Sequence, residues 1–195
     1  MLIRNGVPTA SSRALRARRA RAGLTLIEVL CALTILLLSV LGFAQAITAS
    51  ARNAQATKER TLATEAARRK IEELEANVFP EIFWRYNEYA TDDPGGAGTA
   101  QGAHFAVSGL HLQRGDADGF VGDIVFPTRV GLPGSLREDS TDAKLGMPRD
   151  LNADGVIDSA NHGGNYRILP VLVRVQWQGA AGNSTVELRT MLGDF

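Results

Sequence analysis

Residues 24–47 read LTLIEVLCALTILLLSVLGFAQAI, and this stretch decides how the rest of the chain is interpreted. Its 24 residues carry a single charge, on Glu28. As an α-helix the stretch would extend about 36 Å, which is enough to cross a bilayer core of about 30 Å. The sequence therefore predicts one transmembrane helix near the amino terminus.

Charges on either side of this helix predict its orientation. Residues 1–23 contain no acidic residue and six arginines, namely Arg4, Arg13, Arg16, Arg18, Arg19 and Arg21. Because positively charged flanks stay in the cytoplasm, we expect an inner-membrane protein with a cytoplasmic amino terminus and an exported carboxy-terminal part. The whole chain has 21 basic and 21 acidic residues, so the part beyond residue 23 has an excess of six negative charges. That excess argues against nucleic acid as a partner.

The chain has one cysteine, Cys31, which lies within the apolar stretch. One cysteine excludes an internal disulfide and a zinc or redox site of the CxxC type. A reactive thiol needs a polar, electropositive setting that this stretch lacks, so Cys31 is predicted to act as a small apolar residue.

Residues 21–30, RAGLTLIEVL, resemble the class III signal of type IV prepilins and type II secretion pseudopilins. The resemblance implies that a prepilin peptidase cleaves after Gly23 and that Leu24, the new first residue, is N-methylated. It also implies that Glu28, the fifth mature residue, neutralises the terminal amine of a neighbouring subunit, which offsets the cost of burying either charge in lipid. The implied partners are prepilin peptidase, other pilin or pseudopilin subunits and the inner-membrane assembly machinery.

Other interpretations of this segment remain open. Ala44-Gln45-Ala46 follows an apolar run, as the cleavage site of an ordinary signal peptide would, and the helix could also remain as an uncleaved anchor. Glu28 could simply be hydrated at headgroup depth. The acid near the start of the apolar run favours the prepilin interpretation, because ordinary signal peptides have no use for a glutamate there.

Helical periodicity continues beyond the membrane segment. Apolar residues recur at steps of three or four, at Ala63, Ala67, Ile71, Leu74 and Val78. The pattern predicts a helix from Leu24 to Val78 that is about 80 Å long, ended by Pro80, with charged residues such as Glu59 on its wet sides. We expect the stripe to dock on the protein's own sheet, and the apolar, alanine-rich residues 24–56 to pack against other subunits.

The remaining residues predict a β-rich head. The clearest signal is an antiparallel hairpin in which residues 171–178 and 186–192 alternate on either side of a turn at 179–183. Residues 104–112 could form a strand with Phe105 and Val107 on one face. Residues 113–165 are rich in Gly, Asp and Pro and predict at most a short strand at 124–126.

These elements together predict an α+β protein of pilin type, in which a long amino-terminal helix packs on a small antiparallel sheet. The predicted organisation is a leader at 1–23, a transmembrane and assembly helix at 24–47, an amphipathic helix at 48–79 and an exported head at 80–195.

One loop of the head matches the pattern D-x-N-x-D-G-x-x-D. The candidate calcium ligands are the side chains of Asp150, Asn152, Asp154 and Asp158 and the backbone carbonyl of Val156. Asn161 stands where an EF-hand-type loop usually has a bidentate glutamate, so the predicted affinity is weak. The alternative is a turn built from Asp, Asn and Gly that needs no metal. A second acidic stretch, at 116–123, lacks this spacing.

No enzymatic motif appears in the sequence. The histidines, His104, His111 and His162, do not have the spacing of a metalloprotease helix, and no serine lies in a G-x-S-x-G turn. We therefore predict a structural subunit, a minor pilin or minor pseudopilin, with no organic cofactor. The alternative is a single-pass, membrane-anchored binding module outside the cytoplasm with a calcium-stabilised loop. Glu28 discriminates between them, because only an assembling subunit would need it.

Overall fold

A computed structural model of the chain describes residues 23–129 and 131–194. The arginine-rich segment ahead of Gly23 lies outside the described residues. A boundary between Ala46 and Ile47 divides the chain into two compact units. In chain order the elements are α1 (Leu26–Glu75), a 3-10 turn (Phe79–Glu81), α2 (Ile82–Tyr86), a second 3-10 turn (Ala90–Asp92), β1 (His104–Phe105), β2 (Gly122–Val125), β3 (Thr128–Arg129), β4 (Leu132–Leu136), β5 (Ile168–Gly179) and β6 (Gly182–Gly193).

The first unit contains the apolar half of α1, which is long and apolar enough to cross a membrane. Two of its polar side chains bond to the helix itself. Thr34 Oγ1 donates to the carbonyl of Cys31 and Ser39 Oγ to that of Ile35, each at 2.8 Å. Hydroxyls satisfied in this way can enter lipid without leaving an unpaired polar group.

The second unit is built around a four-stranded antiparallel sheet in the order β1-β2-β5-β6. The predicted hairpin is present and longer than expected, with Val175 opposite Val186 and Gly179 opposite Gly182. Val171, Val173 and Val175 of β5 are fully buried. They share one core with the sheet-facing residues of α1 and with the aromatic segment at 82–86. The α+β prediction is confirmed.

The predicted stripe on α1 is correct at four positions and wrong at the fifth. Ala63, Ala67 and Leu74 are fully buried, and Ile71 packs against the core. Val78 is 63% exposed, because α1 ends at Glu75 rather than at Val78. The side-chain amide of Asn77 donates to the carbonyl of Glu73 at 2.7 Å, and this bond satisfies one of the last helical carbonyls.

Glu59 was expected on a wet side of the helix and is buried instead. Its Oε2 accepts the indole N–H of Trp177 at 3.3 Å and the backbone N–H of Ala180 at 3.1 Å. Its Oε1 accepts a hydrogen bond from the Gln55 amide at 2.9 Å. The Gln55 bond is the largest cause of a lowered pKa at Glu59, and it outweighs the opposing effect of burial. Glu59 thus joins α1 to the turn between β5 and β6.

Two strand predictions are corrected. The strand expected at 104–112 ends at Phe105. It could not continue to residue 112, because Gly109 has a φ of 88° and the chain turns there, with the Leu110 N–H bonded to the Val107 carbonyl. Between 113 and 165 the chain forms β2 and also a separate two-stranded sheet of β3 and β4, which was not expected.

The contrast between Leu74 and Val78 yields a stability prediction. Leu74→Ala removes a fully buried side chain and should lower the free energy of unfolding by about 2–5 kcal/mol. Val78→Ala removes a mostly exposed one and should change it by no more than about 0.5 kcal/mol. Urea unfolding followed by tryptophan fluorescence measures both. Equal losses in the two variants would contradict the finding that Leu74 is buried in the core and Val78 is exposed.

Candidate functional site

Next to the predicted cleavage point, residues 23–25 are exposed and not helical. Gly23, Leu24 and Thr25 precede the first residue of α1, and Leu24 is 71% exposed. The hydroxyl of Thr25 accepts the backbone N–H of Glu28 at 3.3 Å, which caps the helix three residues before Glu28. Gly23 and Leu24 therefore lie ahead of the helix in an exposed part of the described chain.

Glu28 occupies the first turn of α1 and is exposed within the chain. Its carboxylate is favoured there by the partial positive charge of the helix amino terminus. Among the described residues none of the ion pairs includes Glu28. Cys31, one turn further on, is a free and exposed thiol in the same apolar surface.

The calcium-type loop folds around its own side chains. Asp150 accepts the backbone N–H groups of Ala153 at 2.7 Å and Gly155 at 2.8 Å. Asn152 accepts the N–H of Asp154 at 2.9 Å, and its own amide donates to Asp154 Oδ2 at 2.9 Å. Gly155 has a φ of 87°, a conformation that favours glycine. The structure thus brings Asp150, Asn152 and Asp154 together in one exposed turn.

Asp158, the fourth predicted side-chain ligand, joins a different group. Its Oδ1 lies 3.0 Å from His162 Nε2, and that nitrogen lies 3.6 Å from Glu138 Oε2. Glu138 is fully buried, and its Oε1 accepts the N–H of Leu151 at 2.7 Å and that of Asn152 at 3.2 Å. The Glu138 carboxylate therefore ties the end of β4 to the calcium-type loop.

The pKa values of His162 and Asp158, which contact each other, are both shifted. Burial opposes protonation of His162, but the bond to Asp158 and the charge of Glu138 outweigh it and raise the pKa of the imidazole. The backbone N–H of Ala160, followed by the His162 bond, lowers the pKa of Asp158. Asp158 is thus held as a carboxylate beside a histidine that gains a proton readily.

A third group lies at the edge of the sheet. His104 on β1 contacts Asp123 on β2 and Asp118 in the preceding turn. The acidic stretch at 116–123 lacks the spacing of a calcium loop, and no pattern in the sequence connects it with His104. The Glu138–His162 contact was also missed, because these residues lie 24 positions apart and neither belongs to a local motif.

Residues 18–44 match the family model described as the prokaryotic N-terminal methylation motif. No curated protein and no solved structure matches the chain. The amino terminus is a type IV pilin-like prepilin signal, as its residues indicated. Together with the apolar helix, the motif indicates membrane anchoring. The roles of Gly23, Leu24 and Glu28 within the signal stay predictions.

Processing at Gly23 can be tested by substitution. Gly23→Asp places a charged side chain where the peptidase requires a small residue, so co-expression with a prepilin peptidase should no longer remove the 23-residue leader. Mass spectrometry of the purified chain measures this. Ala46→Leu is the matched control, because it removes the small residue required at the alternative signal-peptidase site. A mature terminus at Ile47, lost in Ala46→Leu and retained in Gly23→Asp, would contradict the prediction.

Proposed function

We propose that the protein is a minor pilin or minor pseudopilin, a structural subunit of a type IV pilus or a type II secretion pseudopilus. The observation that carries the proposal is the methylation motif at 18–44, which ends in a helix that continues into an α+β unit. The family that bears this motif is structural rather than enzymatic. The precursor would be inserted in the inner membrane, trimmed after Gly23 and methylated at Leu24.

Assembly would use the apolar half of α1. Every side chain from Leu24 to Ser50 is exposed within the chain, including more than ten large apolar ones. An apolar surface of this extent suits lipid before assembly and the helices of neighbouring subunits afterwards. Within such a bundle a carboxylate has a high cost unless it is paired, and the free amine of a neighbour's Leu24 would supply the positive partner of Glu28.

The role of Glu28 separates assembly from anchoring. Glu28→Ala should leave cleavage and membrane insertion intact, because neither requires the carboxylate, and should reduce incorporation into filaments at least tenfold, on the order expected from leaving a buried charge unpaired. Immunoblots of sheared filaments and of membrane fractions measure the two outcomes.

Glu65→Ala is the control for that experiment, because Glu65 is an exposed glutamate on the same helix. It should incorporate normally. Normal incorporation of Glu28→Ala as well would favour the second candidate, a membrane-anchored binding module outside the cytoplasm.

Calcium binding at Asp150, Asn152, Asp154, Val156 and Asp158 is a further part of the proposal. Support comes from the D-x-N-x-D-G spacing and from the gathering of Asp150, Asn152 and Asp154 in one turn. Asp158 would have to exchange its contact with His162 for the ion. With four side-chain ligands, one carbonyl and no bidentate glutamate, we expect a Kd on the order of 10⁻⁴ M or weaker.

The calcium proposal predicts a small stabilisation. At a calcium concentration ten times the Kd, binding adds about 1.4 kcal/mol to the free energy of unfolding, which corresponds to a rise of a few degrees in Tm. Thermal unfolding of the detergent-solubilised chain, with millimolar calcium or with chelator, measures it. Asp154→Ala should abolish the rise, and Asp194→Ala, at an exposed site outside the loop, should retain it. The same Tm with and without calcium in the unmodified chain would identify the loop as a metal-free turn.

A further inference from the structure

Two carboxylates converge on one ring nitrogen at the edge of the four-stranded sheet. His104 on the edge strand β1 lies directly opposite Asp123 on β2, and Asp118 belongs to the turn that leads into β2. His104 Nδ1 is 3.0 Å from Asp123 Oδ1 and 3.3 Å from Asp118 Oδ2. Register and turn geometry together place three ligand-type atoms around one point.

Hydrogen bonding does not account for both contacts. Nδ1 of a histidine carries at most one hydrogen, and only the contact with Asp123 has hydrogen-bond geometry. Asp118 Oδ1 accepts the backbone N–H of Phe120 at 2.8 Å, and this bond leaves Oδ2 directed at the ring. Within the described residues, the ion pairs of both carboxylates are with His104. One ring nitrogen therefore faces two carboxylate oxygens and has a hydrogen bond with only one of them.

The distances suit a metal ion bound to Nδ1 of His104 in place of its hydrogen. Zinc binds histidine nitrogen and carboxylate oxygen at about 2.0–2.2 Å, so two ligands of one ion lie about 3.0 Å apart at a right angle and about 3.4 Å apart at a tetrahedral angle. The observed separations of 3.0 and 3.3 Å fall at these values, and all three atoms lie within 4.8 Å of one another.

The surroundings would hold the ligands in place and leave room for water. The ring of Phe120 stacks on the His104 imidazole at 5.8 Å with an angle of 17° between the planes. The three side chains are between 21% and 34% exposed, so an ion can reach them and keep water ligands.

We propose that His104, Asp118 and Asp123 bind a divalent transition-metal ion of the Zn²⁺ type, with water completing the coordination. The imidazole ligand separates this site from the calcium-type loop, because calcium takes oxygen ligands whereas imidazole suits zinc and its neighbours in the first transition row. The bound ion fastens the turn at 115–120 to the edge strand. The group of Glu138, Asp158 and His162 is a weaker candidate, since backbone N–H groups already occupy both Glu138 oxygens.

Isothermal titration of the full chain in detergent with zinc chloride tests the proposal, after removal of any histidine tag. The unmodified chain should bind one Zn²⁺ at this site. His104→Gln and Asp118→Asn should each weaken binding at least about tenfold, in line with the effect of losing even an outer-shell partner of a metal ligand. Asp118 is in an exposed turn, so its substitution keeps the test valid if His104→Gln perturbs the sheet, and circular dichroism checks both variants.

Two controls locate the binding. His111→Gln removes an exposed histidine outside the cluster, and Asp154→Ala removes a ligand of the calcium-type loop; both should bind zinc as the unmodified chain does. No binding by the unmodified chain, unchanged affinity in Asp118→Asn, or a loss that occurs in His162→Gln and not in His104→Gln would overturn the proposal. None of these outcomes bears on filament assembly, which depends on Glu28.

Discussion

The packing of α1 against β5 is the interaction on which the rest of the head depends. Ala63 and Ala67 are fully buried and belong to the face of α1 that joins the core. β5 is the strand they share a core with, and it pairs with β2 on one side and β6 on the other. The position of this one strand therefore determines where the edge strand β1 and the hairpin turn lie, and with them the groups that those elements carry.

Those parts of the fold that depend on local pattern could be predicted from the sequence. Alternation on either side of Val173 predicts the hairpin, and the spacing from Ala63 to Leu74 predicts the docked face of α1. Leu132–Leu136 could not be recognised as a strand, because Pro133 and Gly134 are residue types that strands disfavour and no alternation is left. The burial of Glu59 was beyond local reasoning as well, since its partners Trp177 and Ala180 lie more than a hundred residues away.

The candidate sites also divide into those that a local sequence pattern predicts and those that depend on residues far apart in the chain. The prepilin signal is contiguous, so a leader, a small residue and a glutamate at fixed spacing were enough to predict it, and the family model confirms it. The histidine-centred groups are assembled by pairing between strands and loops. Asp118 and Asp123 were visible as an acidic stretch, but the spacing of His104 gives no hint that β1 places its ring between them. Only the sheet register supplies that information.

The buried side chains of α1 differ in size along the helix, and this difference determines which end of the docked segment opens more readily. Leu74 anchors its carboxy-terminal end with a large side chain, whereas Ala63 and Ala67 each remove little apolar surface from water. Towards residue 59 the attachment therefore relies on the hydrogen bonds of Glu59 rather than on apolar burial. Amide hydrogens of α1 should then exchange with solvent along a gradient, slowest near Leu74 and faster towards Gln55, so that the helix loosens from the head first at the end nearer its apolar half.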